Sequence, residues 1–266
     1  MTRGMQPKPL HLRSEYGAQF EDASVAAVYR KRPPYPDTLF DVLQALLPSP
    51  DCAVLDLGCG TGEIAIPMSR RARRVDALDP SPVMLEVAKS APTPQSDNVR
   101  WINQSAETYL FPDRYGLVVA VASLHWMEWE VVLPKIRAAL DRGGFLAIVE
   151  NGAFINAPWM EELRKTISRF STNREYRQVD LIKELCDRRI FRLVGQKTTP
   201  PEYFGQSIDD YVASFHARNG LSRERMARVA AEEFDSEVRR IVKPFAAGGM
   251  LRTQVQATVF WGMPTI

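Results

Sequence analysis

Short apolar runs that alternate with helical patterns over residues 53–150 are the feature that most constrains the fold. Five of these runs have strand character, and they lie at 53–57, 74–79, 99–102, 115–123 and 144–150. Helical patterns separate them at 62–71, 82–90 and 128–140. Because strands that alternate with helices form parallel sheets covered on both faces, we expect an α/β fold with a mostly parallel sheet.

The second half of the chain carries mostly helical patterns, at 158–170, 179–187, 208–219 and 223–242. Two more strand patterns, at 191–196 and 251–262, would complete a sheet of seven strands. We therefore predict four parts: an N-terminal lid segment 1–36, a core 37–150, a helical cap 151–245 that includes the sixth strand, and a last core strand in 246–266. Such a cap would cover the carboxyl ends of the strands, where open α/β sheets bind ligands. Before the sheet, helices are predicted at 23–28 and 37–47, the second with Asp37 as its N-cap.

Composition excludes several classes of protein. The chain has 34 lysines plus arginines and 32 aspartates plus glutamates, a formal net charge of only +2. This balance favours neither nucleic acid nor an anionic membrane as a partner. The three cysteines have no C-x-x-C spacing and no histidine cluster near them, which argues against disulfides and structural zinc. With no signal-peptide pattern and no apolar run long enough to span a bilayer, we expect a cytoplasmic protein.

A glycine-rich turn follows the first strand. The segment VLDLGCGTG, residues 54–62, places Asp56 in the strand and glycines at Gly58, Gly60 and Gly62. Such a turn lets backbone approach a nucleotide-like ligand, and the helix start offers free N–H groups. The spacing departs from the dinucleotide motif because position 63 is glutamate, and no G-K-[ST] phosphate loop follows.

The acids around this turn indicate the charge of the ligand. Asp56 and Glu63 would repel a pyrophosphate, but they suit a ligand with a cationic ammonium group. Asp79 ends the second strand, where a carboxylate can accept hydrogen bonds from both hydroxyls of a ribose. A tight structural turn remains the alternative interpretation of the glycines.

The chain resembles the class I S-adenosylmethionine-dependent methyltransferases over about residues 20–150, through VLDLGCGTG at 54–62 and ALDPSPVMLEVA at 77–88. The resemblance implies a Rossmann-like fold with helices on both faces, and S-adenosyl-L-methionine as the cofactor. It implies that Asp56 and the backbone of the glycine turn hold the methionine part and that Asp79 holds the ribose. Contacts to adenine and near the sulfonium are implied for Pro80, Met84, Ala106, Glu107 and Ala122. Met84 is equally suited to helix packing, and Glu107 to a solvated loop.

The run Y-x-x-R-P-P-Y-P, Tyr29 to Pro36, resembles the N-terminal lid of small-molecule enzymes related to trans-aconitate methyltransferase. This resemblance implies that Arg32 binds the carboxylate of the cofactor. It also implies that Tyr16 or Tyr29 folds over the cofactor.

The segment SLHWMEW, residues 123–129, follows the fourth strand, where methyltransferases contact the acceptor. His125 is a candidate general base for a hydroxyl or an amine, although a histidine beside a tryptophan is often plain packing. An ionised carboxylate would need no base, and displacement at a sulfonium needs no metal, so we predict no metal site.

The expected acceptor is a small molecule rather than nucleic acid, because the fourth strand lacks a following [DN]-P-P-[YF] motif. We expect methyl transfer to oxygen or nitrogen of a secondary metabolite or small organic acid. The alternative is a fold that retains the cofactor but catalyses a cyclisation or rearrangement without methylation. The sequence leaves the oligomeric state open.

Overall fold

The computed structural model describes residues 8, 12, 17–91, 97–153, 156–174, 177 and 179–266. Eight strands of these residues form one sheet: β1 Ala53–Leu57, β2 Arg74–Asp79, β3 Val99–Asn103, β4 Tyr115–Val121, β5 Leu140–Ala153, β6 Phe191–Thr198, β7 Glu202–Ser207 and β8 Met250–Pro264. The order is β3-β2-β1-β4-β5-β8-β6, and β7 also pairs with β8. Strands β1 to β5 are parallel, whereas β8 is antiparallel to β5, β6 and β7. The prediction of a mostly parallel α/β sheet is confirmed.

The α-helices of the described residues are α1 Ala23–Tyr29, α2 Asp37–Ala45, α3 Ala65–Met68, α4 Pro82–Lys89, α5 Trp129–Ala139, α6 Met160–Phe170, α7 Leu181–Asp187, α8 Ile208–Phe215 and α9 Arg228–Val242. Helices cover both faces of the sheet. Successive residues of β4 show this, because Val118 packs in the cluster with α5 and α7, whereas Val119 packs in the cluster with α2 and α3. A strand buried on both faces reads as a continuous apolar run, as β4 does.

The cap has its own apolar cluster. Side chains of α6, α8 and α9 pack there around Phe215 and Phe234, together with Leu251 of β8. Helix α7 packs instead in the cluster on the sheet, through Leu181, Ile182 and Leu185. The described residues of region 151–245 thus supply one helix to the sheet layers and three to the cap.

Strand β7 is the element that the sequence patterns did not predict; its sequence, EYFGQS, follows two prolines, Pro200 and Pro201. The chain continues from β6 to β7 along β8, since the backbone N–H of Thr199 donates to the carbonyl of Ala257 at 2.8 Å. A short strand at the rim of a sheet lacks the apolar alternation that identifies longer strands.

The same strand explains how α2 begins. The N-cap is Pro36, so the prediction of Asp37 at that position was wrong. The carboxylate of Glu202 on β7 accepts hydrogen bonds from the backbone N–H groups of Asp37 and Thr38, at 2.9 and 3.1 Å. Two of the N–H groups of the first turn are therefore satisfied by a side chain distant in sequence rather than by a local side-chain cap.

Candidate functional site

The glycine turn folds back over the end of β2. Strands β1 and β2 are parallel neighbours, with Leu57 beside Leu78. The backbone N–H groups of Gly58 and Cys59 both donate to the carbonyl of Leu78, at 2.8 and 3.0 Å. This arrangement brings the turn after β1 and the acid that ends β2 to one place.

Two of the glycines are required by the packing of the turn itself. Gly58 has φ of +75°, and a Cβ there would lie 2.6 Å from the Cβ of Ser123. Gly62 has φ of +87°, and a Cβ there would lie 2.8 Å from the ring of Trp101. L side chains rarely adopt such φ values. The structure thus gives these glycines a packing role in addition to any close approach of a ligand.

Asp56 carries a buried, unsatisfied acceptor. The residue is 1% exposed, and its Oδ2 atom has no hydrogen-bond partner among the described residues. Burial, together with the nearby charges of Glu63 and Asp79, raises the pKa of Asp56 to about 8. A buried carboxylate oxygen without a partner is costly, so the site favours a ligand that donates hydrogen bonds or carries positive charge.

The side chain of Asp79, at the end of β2, is hydrogen-bonded to the glycine turn and to the loop that follows β2. Its Oδ2 accepts from the N–H of Gly60 at 2.8 Å, and its Oδ1 accepts from the N–H of Ser81 at 2.9 Å. Burial raises the pKa of Asp79, although these two hydrogen bonds oppose the effect. Each carboxylate oxygen has a second lone pair, so Asp79 can still accept hydrogen bonds from a ligand.

The Y-x-x-R run reaches the glycine turn. The ring of Tyr29 lies against Gly60, where an added Cβ would be 3.4 Å from Tyr29 Cε1. The guanidinium of Arg32 donates to the Tyr29 hydroxyl at 2.8 Å and lies 4.9 Å from the centre of its ring. Tyr16 lies outside the described residues. The end of α1 therefore covers the turn with an aromatic ring and a positive charge.

The residues implied as adenine contacts have other packing roles in the structure. Met84 is 1% exposed and packs against Val25 and Ala26 of α1, which agrees with the packing interpretation of this residue. Ala106 is buried in the sheet cluster, and Pro80 is exposed at the end of β2. The carboxylate of Glu107 accepts a hydrogen bond from a backbone N–H at position 128. Adenine contacts for these residues remain predictions.

The segment after β4 forms the other side of the site. Ala122 has φ of +49°, an uncommon value for a residue other than glycine, and the helical turn Leu124–Trp126 follows. Backbone strain of this kind concentrates at functional sites. Burial lowers the pKa of His125 to about 4, and the positive charge of Lys8 contributes to the same shift. His125 is therefore neutral at pH 7 and a weak base.

A cavity of about 1860 Å³ joins these elements between the sheet and the cap. Its wall includes Tyr29 and Arg32 from the N-terminal segment, and Ala122 and His125 after β4. The cap contributes several arginines, which sequence reasoning missed: Arg164, Arg174, Arg177 and Arg218. In the sequence, arginines on cap helices resemble a solvated face, so no local signal distinguishes those that face inward.

Comparison with known proteins agrees with this geometry. Residues 54–144 match the family model described as "Methyltransferase domain". Residues 54–144 form a methyltransferase domain. This methyltransferase domain contains the glycine turn, Asp56, Asp79 and the segment with His125.

Relatives by sequence carry methyltransferase names. An uncharacterized methyltransferase of Mycobacterium bovis is 33% identical over 147 residues, which cover 55% of this chain and 58% of the relative. An uncharacterized methyltransferase-like protein of Schizosaccharomyces pombe is 28% identical over 149 residues, covering 55% of this chain and 57% of the relative. The chain thus spans less than two thirds of the length of these relatives.

Solved structures share the fold of the methyltransferase domain and of the segments around it. An S-adenosylmethionine-dependent methyltransferase from Geobacter sulfurreducens, in complex with S-adenosyl-L-homocysteine, has a TM-score of 0.50 and 18% identity, and the match covers 94% of this chain and 98% of that one. A counterpart from Thiobacillus denitrificans has a TM-score of 0.51 and 18% identity, with coverage of 91% and 96%. At this identity the likeness establishes the Rossmann-like methyltransferase fold.

The cofactor that the methyltransferase domain implies is S-adenosylmethionine, and the residues present fit it. The unpartnered Oδ2 of Asp56 suits an ammonium group, and Asp79 retains lone pairs for hydroxyl donors. Among the described residues, no group of three or more His, Cys, Asp or Glu side chains is arranged to hold a metal ion. Within the same residues, no helix combines the length and the apolar character that a membrane crossing requires.

Proposed function

We propose that the chain transfers the methyl group of S-adenosylmethionine to an oxygen or nitrogen atom of a small molecule, a secondary metabolite or a small organic acid. The observation that carries this proposal is the buried, unpartnered carboxylate oxygen of Asp56, at the strand that leads into the glycine turn, whose Gly62 and Glu63 line the cavity. The cofactor, when bound, supplies a methyl group on a sulfonium, which a lone pair of the acceptor displaces in one step.

The residues of the chain would bind and orient the reactants. Asp56 would accept hydrogen bonds from the ammonium group, and Asp79 from the ribose hydroxyls. Tyr29 and Arg32 would cover the glycine turn and exclude water, which helps a displacement that depends on alignment. The strained backbone at Ala122 follows β4 and lines the cavity, next to Ser123, which packs against Gly58.

The character of His125 bears on which acceptors suit the site. Since its pKa is lowered to about 4, His125 is unprotonated at neutral pH but poorly able to take a proton from an alcohol. The site therefore favours an acceptor that is already deprotonated at neutral pH, such as a carboxylate. This argument supports the organic-acid part of the proposal. The cytoplasmic location is also part of the proposal, and it is supported by three free cysteines.

Calorimetric titration with S-adenosylmethionine and S-adenosylhomocysteine tests the cofactor. We expect both ligands to bind, and Asp79→Asn to weaken binding about a hundredfold, or about 2.7 kcal/mol, because two hydrogen bonds to the ribose are lost or weakened. Asp51→Asn is a matched control, since Asp51 is an exposed acid that does not line the cavity. Thermal melting shows that each variant is folded.

Transfer of a labelled methyl group to a panel of small molecules then tests the reaction. Formation of S-adenosylhomocysteine together with a labelled product supports the proposal. Failure of the folded wild-type protein to bind either ligand would refute it. Turnover of a substrate without any S-adenosylhomocysteine would point instead to a cyclisation or rearrangement.

A further inference from the structure

The wall that the cap presents to the cavity is basic. This cap wall comprises the cavity-lining residues between positions 156 and 226, and its charged members are Arg164, Arg174, Arg177 and Arg218. No aspartate or glutamate of the described cap residues lines the cavity. A cleft with one sign of charge on one side concentrates ligands of the opposite sign.

Outside the cap wall, the lining of the cavity carries charges of both signs. At the glycine turn, Asp56, Glu63 and Asp79 lie close enough for their charges to raise the pKa of Asp56. Among the described residues, the cap wall has charged side chains of positive sign alone. The cap wall therefore suits an anion, whereas the acids beside the glycine turn suit the cationic cofactor.

Arg218 is the most buried of the charged residues in the cap wall. It is half-buried, whereas Arg164 and Arg174 are exposed. Burial lowers the pKa of Arg218 to about 10, and the positive charge of Arg32 contributes to the same shift. Two guanidinium groups that repel each other across a cavity are stabilised by an anion between them. Guanidinium also binds carboxylate and phosphate through paired hydrogen bonds.

Trp126 provides a second, independent observation. Its indole Nε1 is buried and has no hydrogen-bond partner among the described residues, and the residue lines the same cavity. The indole N–H is a donor only, and a buried donor without a partner is costly. The cavity thus contains a neutral donor that lacks an acceptor, as well as guanidinium groups that attract an anion.

We propose that the cap wall binds an anionic group of the methyl acceptor, a carboxylate or a phosphate, with Arg218 as its charged anchor and Trp126 Nε1 as a donor to the same molecule. Arg218 is then the residue that selects acidic acceptors over neutral ones of the same shape. The inference rests on the proposed function, because it concerns the second substrate of that reaction. Beyond that reaction, it gives the charge of the acceptor and the residues that recognise this charge.

Calorimetry on protein saturated with S-adenosylhomocysteine tests the inference without any methyl transfer. The probes are glutarate, its neutral diamide and inorganic phosphate. We expect at least one anion to bind and the diamide to bind at least tenfold more weakly. Binding of glutarate but not phosphate identifies a carboxylate site, and the reverse identifies a phosphate site.

Variants assign the binding to the named residues. Arg218→Gln should weaken the anion at least tenfold, and Arg218→Lys should recover part of the loss because the positive charge returns. Arg228→Gln removes an equal charge from an exposed position on α9 and should leave anion binding unchanged. Trp126→Phe keeps the ring but removes the N–H, and it should weaken the anion severalfold.

The outcomes separate this inference from the proposed function. If the folded wild-type protein does not bind S-adenosylhomocysteine, the proposed function is refuted. Normal binding of that ligand, with neither anion binding better than the diamide, overturns the present inference alone. Unchanged anion binding in both Trp126→Phe and Arg218→Lys would also overturn the present inference. These two conservative variants test the inference if Arg218→Gln does not fold.

Discussion

The carboxylate of Asp79 accepts a hydrogen bond of 2.8 Å from the backbone N–H of Gly60. The acid that ends β2 therefore fixes the turn that follows β1, in addition to any contact with a ligand. Its other oxygen accepts from Ser81, whose hydroxyl caps α4. One side chain thus holds two neighbouring loops, which explains why the glycine turn is ordered around it.

Alanine at Gly58 should destabilise the fold strongly. The positive φ costs about 1–2 kcal/mol, and the clash with Ser123 adds about 1–3 kcal/mol, so we expect a loss of about 2–5 kcal/mol in the free energy of unfolding. Gly248→Ala is the control, because Gly248 also has positive φ, of +56°, but an added Cβ there meets nothing within 4 Å. Urea denaturation measures both variants. An equal loss for the two would contradict the packing role of Gly58.

The ionisation of Asp56 should make stability depend on pH in the absence of cofactor. Because its pKa rises on folding, from 3.8 to about 8, the folded state holds a proton that the unfolded state has lost between those values. Stability from this residue is therefore present below about pH 4 and is lost as pH rises towards about 8. Asp56→Asn should remove this part of the slope. Melting temperatures measured from pH 4.5 to 8.5 check it, and parallel slopes for both proteins would argue against a raised pKa.

His125 should not titrate near neutrality. Burial and the charge of Lys8 lower its pKa to about 4, so we expect its NMR signal to remain that of a neutral ring from pH 5.5 to 8. Lys8→Met should raise this pKa, because it removes a positive charge. The His125→Gln variant assigns the signal. A rate profile at saturating cofactor with an inflection near pH 6.5 that disappears in His125→Gln would contradict this prediction and restore His125 as a general base.

Asp76 should be important for the sheet. It is fully buried in β2, and its carboxylate accepts from Arg100 Nε at 2.7 Å and from the hydroxyl of Tyr115 at 2.7 Å. We expect Asp76→Leu to cost about 2–4 kcal/mol, slightly below the usual loss for a broken buried pair because Arg100 reaches solvent. Asp113→Asn, an exposed partner of the same arginine, should cost less than about 1 kcal/mol. Denaturant unfolding of both variants measures the difference.

The sequence predicted those parts of the fold that depend on residues close together in the chain. The parallel strands followed from apolar runs, and the site at their carboxyl ends followed from Asp56, Asp79 and the glycine spacing. Non-local features were missed. Glu202 caps α2 from a different strand, and β7 takes its place in the sheet by pairing with β8. The inward orientation of Arg218 depends on how the cap lies over the sheet, which the spacing of residues along a helix does not specify.

Strand β8 lies between β5 and β6 and also pairs with β7, so β6 and β7 join the sheet through it. Until residues 250–264 take their place, β6 and β7 have no neighbour in the sheet, and the capping of α2 by Glu202 has no fixed support. These pairings join segments far apart in sequence, and such contacts form slowly. We therefore expect folding to end with the insertion of β8, and the cofactor side of the sheet to be organised before the acceptor side.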